Sequence, residues 1–490
     1  MLKDLKNTIR QSAIYGLSRI ATKLVSFVLL PVYSVYFSVE EYGIISRVET
    51  FWQILFAIFS FGLETGLIRW YYKISDTDER KKFLFSASVF LVLINLVFIL
   101  IFFFTAGIFS ELIFLTVQYS SLIFYACLIA VMEAFVFIFF LLLRVNEKAF
   151  RYTLFSVLIA LFNLLIQIFY IFYTDNKLNG IFIARIISPA IILVMIFPYY
   201  VRYLKFGFDI RGLKELIIFS LPIMMAGVFG ILLNQSDRYV LGYLSTPSDV
   251  GLYSLAFNIC GLLNFFIIAP FALAFSVSSW KKYNTENALR FYTKNITYLF
   301  FAVTYLALAL SLSIPNLIKI FTLNKGYWLA KDIVPWLAIA MPFYGISIIG
   351  FFSFYVAKKT YYILYFSIIC VSVKIILDII LIPMFQVYGA AVANFISFVL
   401  ICILNYKFSK RHYFFNYEWV KLFQMVFVYV LLVFPFFYLQ LFELTFLNVF
   451  LKCLALLAFP FILFILNFYE PVELERLKGF FRKYLKLYRS

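Results

Sequence analysis

The chain has 490 residues, of which 64% are apolar, 22% are aromatic and only 13% are charged. This composition excludes a soluble protein built from several cores and is typical of a polytopic membrane protein. The formal net charge of +18 does not indicate nucleic acid as a partner, because the cationic residues lie in short loops between apolar runs.

Long apolar runs of helical period predict an all-α polytopic membrane protein with about 14 transmembrane helices of roughly 20 residues each. Runs of this length are too long for the strands of a membrane β-barrel. We read the first run as an uncleaved span, since it contains Arg19 and Lys23 and lacks a clear cleavage site. The predicted spans cover residues 12–36, 43–69, 83–106, 113–143, 150–173, 179–200, 215–243, 249–278, 291–313, 332–356, 360–383, 386–406, 421–440 and 446–468.

The loops differ sharply in charge, and this difference predicts the orientation of the chain. With the N-terminus inside, nearly all loop Lys and Arg lie on the inward side, whereas the outward loops hold Lys177, Lys319, Lys325 and Lys331. The positive-inside rule therefore places both termini in the cytoplasm. Residues 469–490 carry apolar residues at helical spacing with basic residues between them, which predicts an amphipathic helix on the cytoplasmic surface of the membrane.

Metal and cofactor chemistry is not indicated by the sequence. The cysteines lie in apolar runs without paired spacing, and the single histidine, His412, lies in a basic loop. We therefore predict no metal site, no cofactor and no disulfide framework. The cysteines are Cys127, Cys260, Cys370, Cys402 and Cys453.

The sequence also carries an internal repeat with an offset of roughly 210 residues. Residues 29–38 align with 236–245, and the repeat predicts two parallel six-helix bundles, 1–206 and 207–412, around a central cavity. Residues 413–468 then hold two further spans outside the repeat. Other matched positions are Gly180 with Gly389, Ala184 with Ala393, Ser188 with Ser397, Asn163 with Lys374, and Gln167 with Asp378.

Charged residues inside the predicted spans are the candidate site. Such residues are costly at membrane depth, by about 2.5–3.5 kcal/mol on insertion scales, so they are most readily kept where they face a wet cavity or a partner. The candidate substrate-binding cations are Arg19, Lys23, Arg185, Arg238 and Lys374. The candidate acids, for ion pairing or for coupling to an ion gradient, are Glu64, Glu133, Asp237 and Asp378.

These charges have two interpretations. A surplus of cations suits an anionic passenger, because guanidinium geometry matches phosphate and pyrophosphate. Alternatively, pairs such as Lys374 and Asp378, one helical turn apart, neutralise each other as structural ion pairs. Arg47 and Lys452 are expected to reach the outer interface with their long side chains.

Several of these segments resemble the polysaccharide and O-antigen flippases of the multidrug/oligosaccharidyl-lipid/polysaccharide exporter superfamily. The similar segments are residues 237–243, 250–254, 31–44 and 389–393. The resemblance implies paired six-helix bundles around a cationic lumen. It also implies that the protein moves a polyprenyl-pyrophosphate-linked oligosaccharide to the outer leaflet by alternating access, for cell-surface polysaccharides such as lipopolysaccharide. Implied partners are membrane lipid and the polysaccharide polymerase machinery, and the implied location is a bacterial or archaeal inner membrane.

Three alternatives stay open at this point. A lipid II flippase is a sister family with the same fold. A drug/cation antiporter of the same superfamily usually has twelve spans and an acidic cavity. A membrane glycan polymerase or ligase, which belongs to a different class, requires a large outward loop with catalytic arginines, and none is predicted. The coupling ion, proton or sodium, is also left open.

Overall fold

A computed structural model of the chain describes residues 28–146, 148–282, 285–357, 359–411, 416–441 and 445–471, together with residues 473 and 475. Most of these residues are helical, and the described part contains no β-strand. The α-helices after residues 28–36 are Val39–Phe59, Leu63–Lys73, Thr77–Phe114, Ser120–Val145, Ala149–Tyr173, Lys177–Val201, Ile210–Gln235, Asp237–Leu244, Pro247–Leu263, Ala269–Lys282, Ala288–Phe321, Val334–Ala338, Met341–Gly350, Phe352–Val356, Tyr361–Phe385, Val387–Ser409, Trp419–Tyr438 and Phe446–Ile465.

The prediction of an all-α polytopic membrane protein is confirmed. Within the described residues, 12 helical segments are long and apolar enough to cross a membrane, and each corresponds to one of the predicted spans. The predicted first span lies mostly outside the described residues, as do most of the predicted surface helix 469–490 and His412. A count of fourteen therefore stays a prediction.

The predicted second span, 43–69, differs from the structure because its helix is interrupted. Val39–Phe59 ends before Phe61 and Gly62, which both adopt left-handed backbone angles, with φ of 50° and 58°. A Cβ atom at Gly62 would press against the backbone of Met224, so a residue without a side chain is needed at this crossing. The chain then continues as the helix Leu63–Lys73.

Two compact units are distinguished by their internal contacts, and each has its own core. The first comprises the described residues up to Ser254, together with Phe321–Gly326 and Ser367–Val387. Its core includes a wholly buried cluster around Leu63, Phe83 and Leu216. The division into bundles 1–206 and 207–412, taken from the internal repeat, stays a prediction.

The second unit comprises the other described residues, and an ion network ties three of its segments together. The Lys294 ammonium lies 2.5 Å from the Glu470 carboxylate and 3.0 Å from that of Glu418, and Lys421 lies 3.0 Å from Glu418. Hydrogen bonding by Lys294 holds the pKa of Glu470 below its usual range. The network thereby fixes the starts of the helices Ala288–Phe321 and Trp419–Tyr438 to the segment after Ile465.

Candidate functional site

The helix Val39–Phe59 in the first unit carries most of the polar contacts of the candidate site. Ser38 begins this helix with a reciprocal cap, in which its hydroxyl accepts from the Glu41 N–H and its own N–H donates to the Glu41 carboxylate. Two turns of an otherwise apolar helix then present hydrogen-bonding side chains to neighbouring helices. These side chains are Ser46, Arg47, Glu49, Thr50, Trp52 and Gln53.

One group of contacts, here called the Trp52 cluster, consists of Arg185, Glu49, Trp52 and Glu133. Arg185 Nη2 lies 2.6 Å from Glu49 Oε1, and its guanidinium carbon lies 4.5 Å from the centre of the Trp52 ring. The indole N–H of Trp52 donates to Glu133 Oε2 at 2.7 Å. The Arg185 and Glu49 side chains are 20% and 22% exposed, so both are reachable by a bound molecule.

A neutral hydrogen-bond chain lies next to the Trp52 cluster. The Tyr33 hydroxyl donates to Gln167 Oε1 at 2.5 Å, and the Gln167 amide donates to Asn163. Tyr33 also lies within hydrogen-bonding reach of Arg185. The chain therefore adds uncharged donors and acceptors beside the ion pair.

Arg238 also contacts the helix Val39–Phe59 and is almost fully buried, with 4% exposure. Its guanidinium donates to Thr50 Oγ1 at 3.0 Å and to Gln235 Oε1. The Gln235 amide in turn donates to Gln53 Oε1 at 2.6 Å. The Arg238–Thr50 and Gln235–Gln53 hydrogen bonds thus join residues from both halves of the predicted repeat.

A second group, here called the buried ion cluster, consists of Lys374, Asp237, Tyr253 and Asp378, all wholly buried. Lys374 Nζ lies 2.9 Å from Asp237 Oδ2 and donates to the Leu233 carbonyl oxygen at 2.8 Å. The Tyr253 hydroxyl donates to Asp237 Oδ2. Three helices therefore converge on one carboxylate.

The predicted ion pair between Lys374 and Asp378 is wrong, because Lys374 pairs with Asp237 instead. Two hydrogen bonds orient the Asp237 carboxylate toward the Lys374 ammonium. The Arg238 backbone N–H donates to Oδ1 at 3.0 Å, and the Tyr253 hydroxyl donates to Oδ2. Asp378 lacks such donors, and neither of its oxygens has a hydrogen-bond partner among the described residues. The Lys374 ammonium therefore pairs with the preorganised Asp237 carboxylate and not with Asp378, although Asp378 is only one helical turn away.

Other predicted site residues lie elsewhere. Glu64 pairs with Arg144, and both side chains are more than 40% exposed, so Glu64 joins neither group. Arg19 and Lys23 lie outside the described residues. Arg47 does not extend to the surface as expected: it is 3% exposed, and its guanidinium donates to the Ile113 carbonyl oxygen at 3.2 Å.

Close backbone contact joins the helices Val39–Phe59 and Pro247–Leu263 along what we call the glycine seam. A Cβ atom at Gly43 would overlap the Pro247 carbonyl oxygen, and one at Gly251 would overlap the carbonyl oxygen of Val39. One turn further along, the hydroxyl groups of Ser46 and Ser254 are hydrogen-bonded at 2.6 Å. On the predicted topology this seam lies toward the outer side of the membrane.

Sequence reasoning missed the side chains that hold the predicted cations. Glu49 lies in an apolar run just as Glu133 does, so the same criterion of charge at membrane depth would have found it. Thr50, Trp52 and Gln53 carry no such signal, because polar and aromatic residues are common in membrane helices. Their contribution depends on which helices lie beside them.

The chain is similar to known membrane proteins and matches one protein family. Residues 8–276, more than half of the chain, match the family model described as polysaccharide biosynthesis protein. An uncharacterised membrane protein of Haemophilus influenzae is 24% identical over 267 residues, which is 53% of this chain and 62% of that protein. A second, from Methanocaldococcus jannaschii, is 24% identical and covers 48% of this chain and 47% of its own length. The chain thus spans less than two thirds of these relatives.

Solved structures show the same fold. A lipid II flippase, MurJ, in an inward closed conformation has a TM-score of 0.73 at 18% identity, covering 93% of this chain and 99% of its own. An inward-facing multidrug resistance transporter of the MATE family has a TM-score of 0.67 at 14% identity, covering 81% and 97%. The predicted multi-pass, all-α membrane architecture is thereby confirmed.

Proposed function

This chain belongs to the family of polysaccharide biosynthesis proteins, and from that membership we propose that it is a flippase for a lipid-linked oligosaccharide. The substrate is a polyprenyl-pyrophosphate-linked repeat unit, moved from the cytoplasmic to the outer leaflet by alternating access. The family match and the shared fold of a lipid flippase support this proposal. The observation that carries it is the partly exposed polar group of the Trp52 cluster at membrane depth.

The arrangement is suited to a large amphiphilic passenger. A polar head group crosses the membrane only if its hydrogen bonds to water are replaced on the way. The Trp52 cluster and Arg238 offer donors and acceptors from both halves of the repeat, so either half can hold the head group as the other moves. The apolar tail needs no such site, because it stays in the lipid.

Removal of a site cation is expected to slow flipping by about tenfold or more, which corresponds to roughly 1.4 kcal/mol of lost interaction. The measurement is a leaflet assay with purified protein in liposomes and a fluorescent polyprenyl-pyrophosphate oligosaccharide. Arg185→Ala and Arg238→Ala are compared with wild type, with Arg19→Ala testing the predicted cation outside the described residues. Arg211→Ala is the matched control, because the Arg211 side chain is 92% exposed.

The outcomes separate this proposal from its rivals. Flipping by wild type and by Arg211→Ala, but not by folded Arg185→Ala and Arg238→Ala, supports it. If wild type moves lipid II but not the polyprenyl-pyrophosphate oligosaccharide, the protein is instead a lipid II flippase. Exchange of a soluble cationic drug, without movement of any lipid, indicates an antiporter.

Coupling to a proton gradient is assigned to Asp378 under the same proposal. An isolated carboxylate at this depth is costly, and Asp378 is wholly buried with both oxygens unbonded within the described residues. The nearby charges, Lys374, Asp237 and Arg238, and the Tyr253 hydroxyl are engaged with one another or with Thr50 and Gln235. We therefore expect Asp378 to be protonated in this conformation. In a conformation that admits water to Asp378, we expect it to release the proton.

Replacing the carboxyl by an amide is expected to uncouple transport from pH. Asp378→Asn keeps the shape of the protonated acid, so the protein should fold and flip lipid at equal rates with and without an imposed pH gradient. Wild type and the exposed control Asp175→Asn should respond to the gradient by about fivefold or more, roughly 1 kcal/mol. A gradient response retained by Asp378→Asn would remove Asp378 from this role.

A further inference from the structure

The Trp52 cluster has a charge balance that differs from the predicted cationic lumen. Its one cation, Arg185, is already paired with Glu49 at 2.6 Å. Its second carboxyl group, Glu133, receives the Trp52 N–H at 2.7 Å. Within the described residues the cluster therefore holds more carboxyl groups than cations, and its guanidinium is occupied.

This balance decides which sugar the cluster can hold. A sugar acid would bring a second carboxylate beside that of Glu49, and like charges repel more strongly in a partly buried site than in bulk water. A carboxylate bound to the remaining N–H groups of Arg185 would share that single cation with Glu49, so two negative charges would have only one countercharge between them. An uncharged sugar meets neither obstacle.

The available hydrogen-bonding groups also match sugar hydroxyls. Carboxylate oxygens accept from hydroxyl groups, and Glu49 is 22% exposed. The guanidinium of Arg185 presents five N–H groups, more than Glu49 alone uses, and is 20% exposed. Trp52 is partly exposed and supplies a rigid apolar ring of the kind that lines small-molecule sites. Tyr33, Gln167 and Asn163 add uncharged groups close by.

We propose that the Trp52 cluster is a sugar subsite that accepts an uncharged hexose or N-acetylhexosamine unit and selects against a uronic acid. This inference rests on the proposed flippase function and adds the chemical class of the sugar next to the cluster. It assigns the pyrophosphate to groups outside the Trp52 cluster. Glu49 is thereby a specificity-determining residue, since its carboxylate already balances the charge of the guanidinium that an acidic sugar would need.

The test uses two fluorescent polyprenyl-pyrophosphate disaccharides that differ in one sugar, N-acetylglucosamine in one and glucuronic acid in the other. Wild type in liposomes is expected to flip the uncharged substrate at least about tenfold faster, a difference of roughly 1.4 kcal/mol. Glu49→Gln, which frees Arg185 without changing the shape of the side chain, is expected to reduce this preference about fivefold by speeding the acidic substrate. Glu111→Gln is the control, because Glu111 is exposed and lies in neither group.

A second readout separates selectivity from a folding defect. Binding of both lipids to the detergent-solubilised proteins, followed by fluorescence anisotropy, should show the same order of preference, and thermal unfolding should show that Glu49→Gln is folded. Should Glu49→Gln fail to fold, Glu133→Gln, which removes the other carboxylate, is expected to narrow the preference in the same direction.

Equal rates for both lipids in wild type, or faster movement of the acidic one, would overturn the sugar assignment while leaving the flippase proposal intact. The assignment is also overturned if neither Glu49→Gln nor Glu133→Gln changes the ratio. If wild type moves neither lipid, the flippase proposal itself fails.

Discussion

Lys374→Met is expected to lower the free energy of unfolding by roughly 3–5 kcal/mol, the cost of removing one partner from a buried ion pair. Lys374 and Asp237 are both wholly buried, and the ammonium also binds the Leu233 carbonyl oxygen at 2.8 Å. Without it, the Asp237 carboxylate keeps the Tyr253 hydroxyl and the Arg238 N–H but loses its countercharge. The measurement is thermal or denaturant unfolding in detergent.

The matched control is the double variant Lys374→Met/Asp237→Asn, which removes both charges. It is expected to be markedly more stable than Lys374→Met, because no uncompensated charge is then left in the core. Lys374→Met that unfolds like wild type and yet has lost transport would contradict a structural role. That result would restore Lys374 to the substrate-binding cations predicted from the sequence.

A disulfide across the glycine seam is expected to stop flipping completely, and a reductant is expected to restore it. In Ser46→Cys/Ser254→Cys the new thiols replace hydroxyl groups that lie 2.6 Å apart, close to the roughly 2.05 Å of a disulfide bond. Alternating access requires the two halves of the repeat to separate on each side in turn. A covalent bond on the predicted outer side holds that side closed.

Suitable controls are the two single-cysteine variants, which cannot form the bond and should flip at the wild-type rate. Cys453 is the exposed free cysteine among the described residues and is replaced by serine in every variant to avoid side reactions. Bond formation is followed by thiol counting in parallel with the leaflet assay. A fully oxidised double variant that still flips lipid would show that this seam does not open during transport.

The spanning helices could be predicted from the sequence more accurately than the contacts between them. Hydropathy is a local property, so the runs at residues 149–173 and 361–385 could be assigned as spanning helices to within a few residues. The break at Phe61 and Gly62 was missed, because left-handed angles there depend on the close approach of the helix Ile210–Gln235. Arg47 was misjudged because a flexible side chain can reach the interface or stay inside, and packing against Phe114 at 4.4 Å favoured the second.

Residue type and spacing alone were enough to assign the class of protein, 12 of its spanning helices and the charges within the apolar runs. The pairing of the charged side chains depends on tertiary packing and could not be predicted from the sequence. Asp237 and Lys374 lie far apart in the chain and form the ion pair, whereas Asp378, one turn from Lys374, is left unbonded. Glu49 and Arg185 similarly lie far apart in the chain and form an ion pair. Coulomb energy depends on distance through space, and that distance is set by how the helices pack.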